Sequence, residues 1–388
     1  VFIRDTKSLI SKEMPLYVVM AAVLSTIAMC VTMESWLLPV ALMLSIGLAI
    51  LYNFGSNLFM GEISFITQAI AAVLQLGVTM DYSIFLYDRY MEEIAHFDDR
   101  RDAMAVSIVS AFKSLSGSSM TTIAGFLALC FMRLTLGRDI GLVMAKGVVL
   151  GIVTVILVLP SILLVMDRSI QKYRHPCVRL NTTGLNAFIA RHSKGFVVLF
   201  LLLFVPALYS NSHTMMYYKL DESVPQDMPS ILSNNKLKDD FGMASTHFIV
   251  LRDDLDRGSM VELEEAIEAL PGITSMVAYD KLLPSGIPDF FIPQDIKKLC
   301  KQEGYQMLMV NSSYVTASDA VAQQLNDLDA LLKSYDPNAY ITGEAAMTKD
   351  LIEVADVDFK TTNYLSILAI VVLVSIAFKS LSIPVLLV

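Results

Sequence analysis

Paired cysteine spacing is missing from this 388-residue sequence. Its four cysteines form no Cys-x-x-Cys: Cys30 and Cys130 sit in apolar stretches, Cys177 in a basic one and Cys300 in a polar one. That pattern supports neither a disulfide framework nor a zinc site. The sequence also has no Gly-x4-Gly-Lys-Ser/Thr phosphate loop, His-Glu-x-x-His helix or Gly-x-Ser-x-Gly elbow. ATP-driven work and hydrolysis therefore lack their machinery in this chain, and no cofactor is expected. No basic patch is visible, which argues against a nucleic-acid partner, because phosphate binding needs one. The first residues carry Arg4, Asp5, Lys7 and Lys12 without the apolar core of a signal peptide, so the chain is expected to begin inside a longer protein.

What the sequence has in abundance is apolar residues. They make up 55% of it, with a mean hydropathy of +0.57, above the roughly 45–50% of a soluble domain. A bilayer-crossing helix needs about 20 mostly apolar residues. Runs of that kind lie near 15–33, 36–54, 64–88, 118–134, 140–166, 195–211 and 363–378, which makes seven expected spans. Residues 1–14 are expected to precede the first span as an outer segment, 15–211 to form a membrane bundle, and 363–388 to hold one further span. Between them, 212–362 has an ordinary globular composition. It carries 12 Lys and Arg against 25 Asp and Glu, net −13, leaving the remainder at +4.

Cytoplasmic loops hold an excess of Lys and Arg. The 89–117 connection has Arg89, Arg100, Arg101 and Lys113, and the 167–194 connection has Arg168, Lys172, Arg174, Arg179, Arg191 and Lys194. Both are expected inside. The 55–63 connection has no basic residue and 135–139 has Arg138 alone, which places the acidic 212–362 region outside the cytoplasmic membrane of a multi-pass protein. Within that region strand-like runs at 246–251, 273–279, 305–311 and 339–342 alternate with helix-like runs at 259–270 and 317–334. A short helix is expected at 294–302, in a connection containing Pro284, Pro288 and Pro293. The order βαββαβ points to an α+β module of the ferredoxin-like kind.

An internal echo is present. Ser35-x3-Pro39-Val40 follows the first apolar run and Ser380-x3-Pro384-Val385 follows the last, and a Thr-Lys-x-Leu-Ile string stands upstream of each, at Thr6 and Thr348. A two-fold plan would explain this, with a second half opening near residue 214.

The strongest chemical signal is Gly77-Val-Thr-Met-Asp81-Tyr82-Ser-Ile-Phe85-Leu86. Asp81 lies seven residues, about 10 Å at ~1.5 Å per residue, from the charged stretch that opens at Asp88. A carboxylate at such depth costs at least ~2.5–3.5 kcal/mol and usually faces a bundle interior, where it serves ions or protons. Burial penalises the charged form of a carboxyl, which suits proton uptake and release. Tyr82 can donate its hydroxyl to a partner or a water. Gly77, one turn earlier, removes a side chain where a neighbouring helix could approach.

Weighed against this, Asp81 could be a structural acid hydrogen-bonded to Ser118, Ser119, Thr121 or Thr122, and these four could equally be packing hydroxyls. Lys146 either snorkels to the outer interface or pairs with Asp81 and titrates with it. Gln68 and Gln75 would line a polar seam or make packing hydrogen bonds. Ala103 to Lys113 reads as an amphipathic helix along the inner interface.

Gly77-x3-Asp81-Tyr82-x2-Phe85-Leu86, followed by Arg89-Tyr90-x-Glu92-Glu93 and by Ser119-x-Thr121-Thr122-x2-Gly125-Phe126-Leu127, resembles the MMPL group of RND transporters. The resemblance covers 15–166 best. It implies part of a twelve-span pseudo-symmetric pump with two outer porter domains, of which 212–362 would be one, driven by protons through Asp-Tyr pairs. Asp81 and Tyr82 correspond to the first pair. It further implies protons as the coupling ion and a lipid, hydrophobic small-molecule or peptide substrate. The implied partners are membrane lipids and the remaining half of the transporter, with homo-oligomers among the allowed assemblies. The class is then a secondary active transporter rather than an enzyme. An alternative is a lipid-sensing or scaffolding protein without net transport, since sterol-sensing domains share this helical architecture. A translocation accessory like the SecD and SecF proteins is a third reading without convincing motif support.

Overall fold

The computed structural model describes residues 2–176, 183–213, 225–281, 298 and 300–387. Helices α1 (Phe2–Thr32), α2 (Leu37–Ser56), α3 (Phe65–Ile94), α4 (Arg100–Ala128), α5 (Thr135–Leu157), α6 (Leu159–Lys172), α7 (Thr183–Arg191) and α8 (Ser193–His213) come first. Seven helices of the described chain are long and apolar enough to cross a membrane. They include α1 to α5, α8 and a 35-residue helix, Glu344–Phe378, that follows the acidic region.

Local chemistry sets the helix ends. Ser64 caps α3 by accepting from the Ile66 N–H, and Asp99 caps α4 by accepting from the Arg101 N–H at 2.9 Å. Pro160 lies in the first turn of α6, where its missing N–H is tolerated, so the apolar run at 140–166 is broken at Val158 rather than continuous. The expected interfacial helix at 103–113 is instead the start of α4. No proline interrupts it, and Ala103, Met104, Ser107, Ala111 and Leu115 form one buried stripe. Residues 2–14 likewise belong to α1 rather than standing apart.

Clustering of contacts divides the chain into two compact units, Lys7–Thr214 with Val357–Val388, and Val1–Thr6 with Met215–Asp356. In the first, α5 packs against α2, α3 and α4, and Leu38, Leu42, Leu86, Met104, Leu159 and Leu163 are fully buried. The outward apolar faces of α1 and α8 remain bare, the surface that bilayer hydrocarbon covers.

The second unit contains α9 (Pro229–Phe241), β1 (Ser245–Arg252), α10 (Arg257–Glu268), β2 (Ile273–Val277), β3 (Lys301–Gln302), β4 (Tyr305–Ser312), α11 (Asp319–Tyr335) and β5 (Tyr340–Thr342). The antiparallel sheet runs β2-β4-β1-β5 with β3 pairing β4, which is the ferredoxin-like strand order with one short added strand. Ile249, Leu251, Leu308 and Val310 meet Leu263 and Ile267 of α10 and Leu328 and Leu332 of α11 on one face. Burying each such side chain contributes about 1.5–3 kcal/mol. At β5's end Gly343 has φ +127°, and a Cβ there would lie 2.6 Å from the Thr246 carbonyl oxygen, so only glycine fits. The helix expected at 294–302 falls mostly outside the described residues, and its end at 301–302 is β3. Cys177, Pro284, Pro288, Pro293 and the Val385 side chain also lie outside them.

After the sheet, α12 (Glu344–Phe378) leads to α13 (Ser382–Leu387). The internal echo has a structural counterpart. α1 and α12 are both long helices followed by a short link, and Pro39 and Pro384 are each the third residue of the helix that follows.

Candidate functional site

The acid and its tyrosine sit mid-way along α3, and helix geometry separates their surroundings. Successive residues are ~100° apart on a helix, so Gln75, Thr79 and Ser83, each four apart, share the face that meets the bundle. All three are buried, and the Ser83 hydroxyl donates to the Thr79 carbonyl at 2.9 Å. Asp81 is therefore turned to the opposite side. It is exposed on this chain and lines a groove of about 410 Å³ between α3 and α4, with Val78, Tyr82, Phe85, Ser114, Leu115, Ser118 and Thr122. The expectation that Asp81 faces the bundle interior is thus corrected for the described chain, because the hydroxyl and amide side chains of α3 already occupy that face.

Tyr82 is 6% exposed. Its hydroxyl lies near the Thr122 side chain and in electrostatic range of Asp81. Thr122 also donates to the Ser118 carbonyl of its own helix. The acid, the tyrosine and one of the predicted threonines therefore share one groove. Ser119 and Thr121 do not line it. Ser119 is buried and bonds the Ser116 carbonyl, and Thr121 bonds the Ser118 carbonyl at 2.7 Å. Ser114, which no sequence motif singles out, does line it.

Lys146 is elsewhere. Its ammonium donates to the Asn53 carbonyl at 3.1 Å and to Asn57 Oδ1, with Met60 Sδ at 3.7 Å, and among the described residues no ion pair joins it to Asp81. Three neutral acceptors at and just beyond the end of α2 satisfy the charge without a carboxylate. Gln68 is exposed while Gln75 is buried, so only Gln75 enters a polar seam. Its amide donates to the Ala49 and Gly147 carbonyls, and it accepts from Asn53 at 2.8 Å.

Gly77 does not mark the close helix approach, since a Cβ added there meets nothing within 4 Å. The approach lies on α5. A Cβ at Gly147 would stand 2.7 Å from Asn53 Nδ2, one at Gly151 2.8 Å from Thr79 Oγ1, and one at Gly141 2.6 Å from the Phe126 carbonyl oxygen. The signal available in the sequence was Gly147-x3-Gly151, a small-residue spacing that lets helix backbones nest. A second missed residue is Asp358 on α12, 3% exposed, whose carboxylate accepts from the Leu134 N–H at 2.9 Å just ahead of α5.

No cluster of His, Cys, Asp and Glu able to hold a metal occurs among the described residues. A helical membrane bundle with an acid-tyrosine pair at mid-span and a ferredoxin-like α+β unit defines a multi-pass membrane protein. The MMPL family model matches residues 1–191 and 298–388. The chain belongs to the MMPL family.

Three relatives give the scale of the likeness. Membrane protein ActII-3 of Streptomyces coelicolor is 32% identical over 166 residues, 41% of this chain and 23% of that protein. YdgH of Bacillus subtilis is 24% identical over 250 residues, 60% of this chain and 28% of that protein. The mycolic acid-containing lipids exporter MmpL11 of Mycolicibacterium smegmatis is 23% identical over 181 residues, 43% of this chain and 19% of that protein. The matched part is less than a third of each. Among solved structures, SecDF of Thermus, a translocon-associated membrane protein, aligns over 95% of this chain and 44% of its own, with a TM-score of 0.49 and 13% identity. That likeness is too slight to carry a functional argument.

Proposed function

We propose that the chain is part of a proton-driven exporter of lipids or other hydrophobic and amphipathic compounds across the cytoplasmic membrane, with the acidic α+β unit outside. The observation that carries this reading is Asp81 beside Tyr82 in a groove at the middle of an apolar helix, with no cation among the described residues that line it. Ionisable side chains within membrane spans mark proton and ion pathways, and a group that takes up and releases a proton there can couple protonation to movement. The Tyr82 hydroxyl, in the same groove as Thr122, stands next to it as a relay or a fixed dipole.

The lipid-exporting relative supports the substrate class, and family membership supports a transporter rather than an enzyme. The activity belongs to the whole protein, whose remaining half would pack on the open side of the groove. The test is gradient-dependent efflux by the whole protein carrying Asp81→Asn. Efflux should disappear at equal expression. Wild-type efflux in that variant would end the proton role of Asp81.

A further inference from the structure

At the charged end of α3, on the far side of the span from the polar seam, lies a second cavity of about 250 Å³. Its polar lining includes Glu34, Tyr87, Tyr90, Arg100, Asp167 and Arg174. Arg100 pairs with Asp167, and Arg174 pairs with Glu34 at 2.5 Å. The closest approach in each pair is through one guanidinium nitrogen, while a guanidinium carries five N–H donors. The Tyr90 hydroxyl is buried in this lining, at 3% exposure of the residue, and has no hydrogen-bond partner among the described residues. Arg100 is within electrostatic range of that hydroxyl, and Arg174 and Glu34 of the Tyr87 hydroxyl.

The geometry points to a site for a phosphate group, held by Tyr90 and by further N–H donors of Arg100 and Arg174. Surplus donors around a cavity call for an acceptor-rich ligand, and guanidinium groups bind phosphate oxygens in pairs. Among the described residues, two cations against two carboxylates leave the lining formally neutral, which favours a singly charged phosphodiester over a doubly charged phosphate. Aliphatic side chains of Ile94 and Leu163 complete the wall, a surface that suits the glycerol end of a lipid rather than a free ion. The positive-charge bias of the flanking connections places this end of α3 at the cytoplasmic leaflet, where anionic headgroups concentrate. The inference does not depend on the proton role of Asp81.

The test uses the full chain in detergent, titrated with short-chain phosphatidylglycerol and followed by native mass spectrometry. Parallel titrations use the matching diacylglycerol and inorganic phosphate. Wild-type protein should retain phosphatidylglycerol and not diacylglycerol. Tyr90→Phe, which keeps the ring, should weaken retention roughly two- to tenfold, the effect of one hydrogen bond, with an unchanged thermal midpoint. Arg174→Gln should weaken it further. Displacement of the lipid by inorganic phosphate at equal concentration would keep the site and make free phosphate its ligand. Failure to displace it assigns the headgroup. Retention equal to wild type in both variants, or equal binding of diacylglycerol, would overturn the proposal.

Discussion

Glycine-to-alanine exchange at two positions separates helix propensity from helix packing in this bundle. Alanine stabilises a helix interior by about 0.5–1 kcal/mol relative to glycine, and that gain applies equally at Gly77 on α3 and Gly147 on α5. The surroundings differ. At Gly77 the new methyl meets nothing within 4 Å, whereas at Gly147 it would stand 2.7 Å from Asn53 Nδ2 and 3.3 Å from the Gln75 side chain. To make room, either α5 moves away or the Asn53 to Gln75 bond of 2.8 Å is given up. Overpacking costs about 1–3 kcal/mol and a buried hydrogen bond about 1 kcal/mol. Gly77→Ala should therefore be neutral or stabilising by up to ~1 kcal/mol, and Gly147→Ala destabilising by ~1–3 kcal/mol. Thermal unfolding of the two variants in detergent, read by far-ultraviolet circular dichroism against wild type, measures the difference with propensity cancelled. If Gly147→Ala proves as stable as Gly77→Ala, the α5 seam does not hold the bundle as argued.

Three further outcomes follow from the contacts. Lys146→Met and Asp81→Asn should have additive effects on stability within ~0.5 kcal/mol, because Lys146 is bound by Asn53 and Asn57. A coupling above about 1 kcal/mol in a double-mutant cycle would show an ion pair that the geometry does not contain. Asp358→Ala removes the acceptor for the Leu134 N–H and should cost about 1.5–3 kcal/mol, the range for hydrogen bonds to charged groups. Unchanged hydrogen exchange at the start of α5 would count against it. His247, fully buried with Nε2 3.2 Å from Gln324 Oε1, has its pKa pushed below the ordinary histidine value by burial. The unfolded chain then binds a proton near pH 6.5 that the folded chain refuses. Stability of the α+β unit should fall as pH drops below about 6.5, by at most ~1.4 kcal/mol per pH unit. Glu264, pushed up by burial, works in the opposite sense at lower pH, with stability lost as pH rises through its own range. Hydrogen exchange of β1 amides in the full chain, compared with His247→Gln, isolates the histidine, and an equal pH slope in that variant would refute its role.

Much of the architecture was legible because it depends on length, composition and period alone. Seven apolar runs are long enough to cross a bilayer, and no other solvent would accept them. The βαββαβ order of the acidic region follows from alternating periods, and the sheet order observed is the one that such an arrangement allows. The Asp81-Tyr82 pair was legible for the same kind of reason, since an acid is costly anywhere in an apolar helix whatever packs around it. Its facing was not legible. A single helix has two sides, and only the packing of α2 and α5 against Gln75, Thr79 and Ser83 decides that Asp81 looks the other way. Lys146 shows the same limit, because Asn53 and Asn57 reach it only once α2 and α5 are side by side. Asp358 meets Leu134 across 224 residues of sequence, a separation that no local pattern encodes. Hydrophobic period and the cost of a charge in apolar surroundings are properties of the chain itself. Which polar atom satisfies which other one depends on how close the backbones come, and that is decided by small residues such as Gly147 and Gly151 at the helix contacts.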